Sequence, residues 1–89
     1  MAYLYLIENE NGRHHYLGSA LDFNVRLDEH NRGVTKATRN KGPWKILKTW
    51  KFDSIKEVKQ IEYKIKRMKH KLSEEYISYF IREYSQNNG

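Results

Sequence analysis

Two helical segments carry polar residues where their periodicity asks for apolar ones. In the segment that opens at Asp22, Phe23 and Leu27 define the inward side, and at about 100° per residue Arg26 and His30 fall within roughly 60° of Phe23. Four residues apart, they share one face. A guanidinium and an imidazole at the edge of a buried face point to a cleft. The other reading is a long Arg stem laid over the core with its head in water, and a His closing the helix end. Glu62 is the second exception. It projects near Ile55 and Val58, at the border of an apolar stripe, with Lys59, Lys66 and Lys69 as neighbours at helical spacing. A carboxylate there is either a salt-bridge partner for those lysines, worth about a few tenths of a kcal/mol per pair, or a metal ligand at the rim of a site. A lone carboxylate with several waters suits Mg²⁺, which keeps much of its hydration shell.

Other chemistries find no support in the spacing. His14 and His15 are adjacent in a predicted strand and point to opposite faces, while His30 and His70 are far apart with no cysteine to help, so a zinc site is not expected. No glycine-rich phosphate loop is present, and no Ser-His-Asp order can be argued. The seven tyrosines supply buried area, and each becomes a working residue where its hydroxyl points into a cleft.

These side chains need elements to hold them. Tyr3-Leu4-Tyr5-Leu6-Ile7 predicts a strand, Asn11-Gly12 a tight turn, and His15-Tyr16-Leu17-Gly18 the returning strand. Asp22 caps a helix through about Asn31 that Gly33 closes, and Val34 to Gly42 predicts an exposed loop. Trp44 to Phe52 gives a third strand with apolar residues at Trp44, Ile46, Trp50 and Phe52. Ser54 with Glu57 forms a capping box for a long helix whose stripe is Ile55, Val58, Ile61, Ile65 and Met68. Ser73 caps a last helix with Tyr76, Ile77, Phe80, Ile81 and Tyr84 inward, and Ser85 to Gly89 is a frayed tail. The order β-β-α-β-α-α implies an α+β fold with a small three-stranded antiparallel sheet flanked by helices, as one domain over residues 1–82 followed by a tail at 83–89.

Length and charge bound the rest. At 89 residues without cysteine, the chain makes one thin core with no disulfide to reinforce it, and buries about 60–65% of the surface its unfolded form exposes. No apolar run reaches the roughly 20 residues that cross a bilayer, so an intracellular, cytoplasmic protein with no membrane partner is the expectation. The net charge of +6 is unevenly placed: residues 1–30 balance at −3, residues 31–72 at +11 and residues 73–89 at −2. One stretch carries the whole positive excess, the footprint of a polyanion binder or of a solvated lysine-rich surface.

At Tyr3-Leu4-Tyr5 and, after ten residues, Tyr16-Leu17-Gly18, the sequence resembles the GIY-YIG nuclease family in its small stand-alone type. Arg26 lies eight residues after Gly18 with His30 one turn on, Thr38-Arg39 precede Gly42-Pro43, and Glu62 falls in the helix after the third strand, each similar to the family pattern. The resemblance covers roughly residues 2–82. Tyr3 replaces the first Gly, Leu17 replaces Ile, and Ser19 stands where the repair branch has Lys.

The resemblance implies metal-dependent hydrolysis of DNA phosphodiesters with low sequence specificity, at a site of Tyr5, Tyr16, Arg26, His30 and Glu62. Glu62 would hold a single Mg²⁺, or Mn²⁺, and Arg26 would neutralise charge growing on the phosphate oxygens. Tyr16, in preference to Tyr5, would position and deprotonate the attacking water, which requires nearby cations to lower a phenol pKa of about 10. His30 would share the proton relay or bind a phosphate. Lys36, Thr38, Arg39, Lys41, Lys59 and Lys66 would grip DNA, branched or single-stranded forms included, through salt-sensitive backbone contacts. Against this stand a catalytically inactive DNA-binding module of the same fold and a domain that binds an acidic protein. Oligomeric state is not legible.

Overall fold

The computed structural model describes residues 1–69 and 71–88, the last four of these by backbone alone. His70 therefore lies outside the described residues. The chain opens with a hairpin of β1 (Ala2–Asn9) and β2 (His15–Ala20), turned near Gly12, whose φ of 73° only glycine adopts without strain. β1 pairs antiparallel with β2 and with β3 (Trp44–Phe52), so the sheet order is β2-β1-β3 and β1 is its centre. That position accounts for the sequence of β1, an unbroken apolar and aromatic run buried on both faces.

One face takes α1 (Phe23–Asn31), started by Asp22 accepting from the backbone N–H groups of Asn24 and Val25. Phe23 and Leu27 pack there against Tyr5, Ile7, Ala20 and Trp44. The opposite face takes α2 (Ile55–Arg67) and α3 (Glu74–Asn88), capped by Ser54 and Ser73. Val58, Ile61, Ile65 and Ile77 bury there against Leu4, Leu6 and Leu17, each contributing about 1.5–3 kcal/mol. The fold is thus α+β, a three-stranded antiparallel sheet between one helix and two.

Two expectations need correction, and β3 departs from regular alternation. Uninterrupted pleating would put Trp44, Ile46, Trp50 and Phe52 on one face. Instead Leu6 pairs with Lys48 and Ile7 with Ile46, so Leu47 is an extra bulged residue and the face inverts there. Trp44 and Ile46 join the α1 side, while Trp50 and Phe52 join the α2/α3 side. Met68 is not part of the α2 stripe: the helix ends at Arg67, and Met68 caps it at 62% exposure. The boundary at residue 82 falls inside α3, which continues to Asn88 with Tyr84 packed on the core, so no tail begins at 83.

Candidate active site

The candidate residues meet at the free edge of β2. Tyr5, on the central strand, pairs with Gly18 of β2, and its ring lies across that glycine. A Cβ at position 18 would overlap the Tyr5 hydroxyl and stand 2.9 Å from its Cε1. The missing side chain is what lets a buried phenol from the middle of the sheet reach towards the edge strand. Tyr16, two residues earlier on β2 and half-buried, shares the face, with its ring centroid 6.5 Å from that of Tyr5.

α1 brings in the next two groups. His30 is 2% exposed, with Nε2 2.9 Å from the Tyr5 hydroxyl and Nδ1 2.7 Å from Oγ1 of Thr38. Its ring centroid is 4.8 Å from that of Tyr16. Arg26, one turn earlier, faces the Tyr5 hydroxyl and is anchored by Glu29, whose Oε1 accepts from the guanidinium at 2.7 Å. Burial, with the Arg26 charge beside it, holds the His30 imidazole below its ordinary pKa, so it is neutral at pH 7. Burial pushes the Tyr5 phenol up to about 12; Arg26 partly offsets this, while the charges of Tyr16 and Glu62 add to it.

The Tyr5 shift fixes a sign. A phenol at about 12 in the fold and near 10 when unfolded binds its proton more tightly in the native state. Stability is therefore intact below pH 10 and is lost as pH rises from 10 towards 12, by up to roughly 2–3 kcal/mol. Urea midpoints measured from pH 9 to 12 should fall along that limb in the wild type and flatten in Tyr5→Phe. Parallel curves would refute the assignment.

Glu62 comes from the other layer. α2 packs beneath the sheet, and the half-buried Glu62 carboxylate at its border accepts from Lys66 Nζ at 2.7 Å. Lys66 Nζ in turn lies 5.0 Å from the Tyr16 ring centroid, which ties the carboxylate to the β2 edge. The carboxylate thus makes the lysine salt bridge that was one of the two readings of its position in the sequence. Among the described residues no three His, Cys, Asp or Glu side chains gather. One hard oxygen donor fits a hydrated Mg²⁺ or Mn²⁺ and does not fit zinc.

The structure therefore brings Tyr5, Tyr16, Arg26, His30 and Glu62 into one neighbourhood. Lys36, Arg39 and Lys41 are exposed on the segment after α1, and Lys59 and Lys66 are exposed on α2. Thr38 departs from its expected place: it is 1% exposed, turned inward under His30, so it does not face a phosphate. Its segment forms a short 3-10 turn at Lys36–Thr38, pinned by Asn9 Nδ2 donating to Lys41 O and by Asn31 exchanging hydrogen bonds with the Trp44 backbone. Sequence reasoning also passed over Tyr63. It is 63% exposed beside Glu62, with the Arg67 guanidinium 5.5 Å from its ring centroid, in an open groove lined by Lys59, Lys66 and Lys69. An aromatic residue on the outward side of an amphipathic helix was the available signal.

Comparison with known proteins adds independent findings. The family model for the GIY-YIG catalytic domain matches residues 1–76. UPF0213 protein BH0048 of Halalkalibacterium halodurans is 32% identical over 77 residues, covering 85% of this chain and 81% of its own. UPF0213 protein VNG_2274C of Halobacterium salinarum is 38% identical over 69 residues, covering 76% and 88%. The solution NMR structure of UPF0213 protein BH0048 from Bacillus halodurans aligns over 92% of this chain and 84% of its own, at 31% identity and a TM-score of 0.46.

Proposed function

Since the chain belongs to the GIY-YIG catalytic domain family, we propose that it is a divalent-metal-dependent endonuclease that hydrolyses DNA phosphodiester bonds with low sequence specificity at the β2 edge. The observation that carries the proposal is convergence. A phenol from the central strand, a guanidinium and a neutral imidazole from α1, and a carboxylate from α2 come from opposite sides of the sheet to one place. No packing requirement would gather those four chemistries together.

Glu62 would hold the metal, which when bound polarises a phosphoryl oxygen and stabilises the leaving 3′-oxygen. Arg26 would neutralise the charge that grows on the phosphoryl group in the transition state, and its ion pair with Glu29 restricts the guanidinium. The two phenols divide the work. Tyr5 is fully buried and held high in pKa, so it is poorly placed to meet bulk water, but its hydroxyl has an acceptor in His30. Tyr16 is the half-exposed phenol at the edge, with the Lys66 ammonium near its ring, and is the group that orients the attacking water. Exposed lysines on both flanks supply affinity through phosphates, which is sequence-independent and falls steeply with salt.

The test is incubation of purified protein with supercoiled plasmid in Mg²⁺, beside an EDTA control. Nicking lost in EDTA is expected, and nicking that persists in EDTA defeats the proposed site. Binding at low salt without cleavage of plasmid, branched or single-stranded DNA would establish the inactive module instead. No retention of DNA at low salt would remove nucleic acid as the partner.

A further inference from the structure

The hydrogen bonds around His30 have a direction, and Thr38 sets it. Two hydroxyl protons must be placed in this buried cluster. The Thr38 hydroxyl has two partners, His30 Nδ1 at 2.7 Å and the carbonyl oxygen of Thr35 at 3.3 Å. The Tyr5 hydroxyl has His30 Nε2 at 2.9 Å, and the Arg26 guanidinium that acts on it can only donate. If His30 carried its proton on Nε2, it would donate to the Tyr5 oxygen that Arg26 already faces. The phenolic proton would then be left among donors with nothing to accept it. A proton on Nδ1 resolves every group at once: Nδ1–H donates to Thr38, the Thr38 hydroxyl donates to the Thr35 carbonyl, and bare Nε2 accepts from Tyr5. Among the described side chains no buried polar atom lacks a partner, and the Nδ1–H tautomer is the arrangement that also gives both hydroxyl protons an acceptor within this cluster.

We propose that Thr38 is a positioning residue that fixes His30 in the Nδ1–H tautomer, so that Nε2 stays open as the acceptor for the Tyr5 proton. The role of Thr38 in turnover rests on the nuclease reading above; the tautomer does not. The 3-10 turn gives the device its rigidity. Trp44 Nε1 donates to the Thr38 carbonyl at 3.2 Å and the Thr38 amide to the Thr35 carbonyl at 3.2 Å, so the hydroxyl is held from both sides of its own backbone. Serine presents the same hydroxyl. Valine keeps the shape but can accept nothing, leaving an Nδ1–H without a partner and favouring transfer of the proton to Nε2.

Long-range ¹H–¹⁵N correlation spectra of the full chain at neutral pH read the tautomer directly, with the His30 signals identified by their loss in His30→Gln. The wild type and Thr38→Ser should show a protonated Nδ1 and a bare Nε2, and Thr38→Val should move the proton to Nε2. Plasmid nicking should be retained within about threefold in Thr38→Ser and fall at least tenfold in Thr38→Val. A wild-type spectrum with His30 Nε2 protonated overturns the proposal whatever the enzyme does, even if neither Thr38 variant folds. So does a Thr38→Val spectrum, or rate, that matches the wild type. The predicted spectra in a protein that never nicks DNA would leave the tautomer assignment standing and bring down the nuclease reading alone.

Discussion

Replacing Glu62 with Ala is expected to lower the rate of Mg²⁺-dependent plasmid nicking by about 1000-fold, equivalent to roughly 4 kcal/mol of transition-state stabilisation. Two quantities should stay nearly still while the rate collapses. The ion pair lost is an exposed i,i+4 pair with Lys66, worth about 0.3–0.5 kcal/mol, so the thermal midpoint should fall by no more than a few degrees. DNA affinity in EDTA should hold or rise, because a negative charge leaves a groove lined by Lys59, Lys66 and Lys69. The rate, and not the affinity, separates the proposed role from a merely electrostatic one, in which deleting an acid beside a polyanion tightens binding and leaves turnover intact. A rate within threefold of the wild type, or a large drop in midpoint, would show that Glu62 serves the helix and not the chemistry.

What the sequence disclosed, and what it hid, divides along one physical line. Elements whose signals are local were legible: the Asp22, Ser54 and Ser73 caps, the hairpin turn, and the stripes of α2 and α3 each depend on neighbours within a few residues. His30 and Arg26 could be marked as displaced because helix phase is a local property. Features fixed by contacts between distant segments were hidden. The bulge at Leu47 depends on which β1 residues it faces, so the apolar positions of β3 could be read without showing that Trp50 and Phe52 lie on the opposite face from Trp44 and Ile46. Thr38 sits in a polar stretch with no apolar period, and only hydrogen bonds from Asn9, Asn31 and Trp44 reveal that the stretch folds back under α1. That Glu62 and Tyr16 share an edge, although α2 and α1 lie on opposite sides of the sheet, is a matter of strand order, on which periodicity is silent.

The same strand order leaves Gly18 no room for a side chain. Any side chain there points to the α1 face at the one position where the Tyr5 ring crosses β2. Gly18→Ala should destabilise the protein by about 1–3 kcal/mol, the usual cost of overpacking a buried site, and lower its melting temperature by roughly 5–20 °C. Nicking should drop by at least a hundredfold even at temperatures where the variant is fully folded, because relief requires the Tyr5 ring to move away from His30. The clash involves the ring as well as the hydroxyl, since Cε1 is only 2.9 Å from the added carbon. A double-mutant cycle therefore gives a sharp outcome. The stability cost of Gly18→Ala should persist in a Tyr5→Phe background, where the ring remains, and shrink to below about 1 kcal/mol in Tyr5→Ala, where the space is open. If Tyr5→Phe alone abolished the cost, the hydroxyl and not the ring would be what glycine accommodates. Were Gly18→Ala neutral in every background, Tyr5 would not cross the strand at all, and the edge would lose the phenol that links α1 to it.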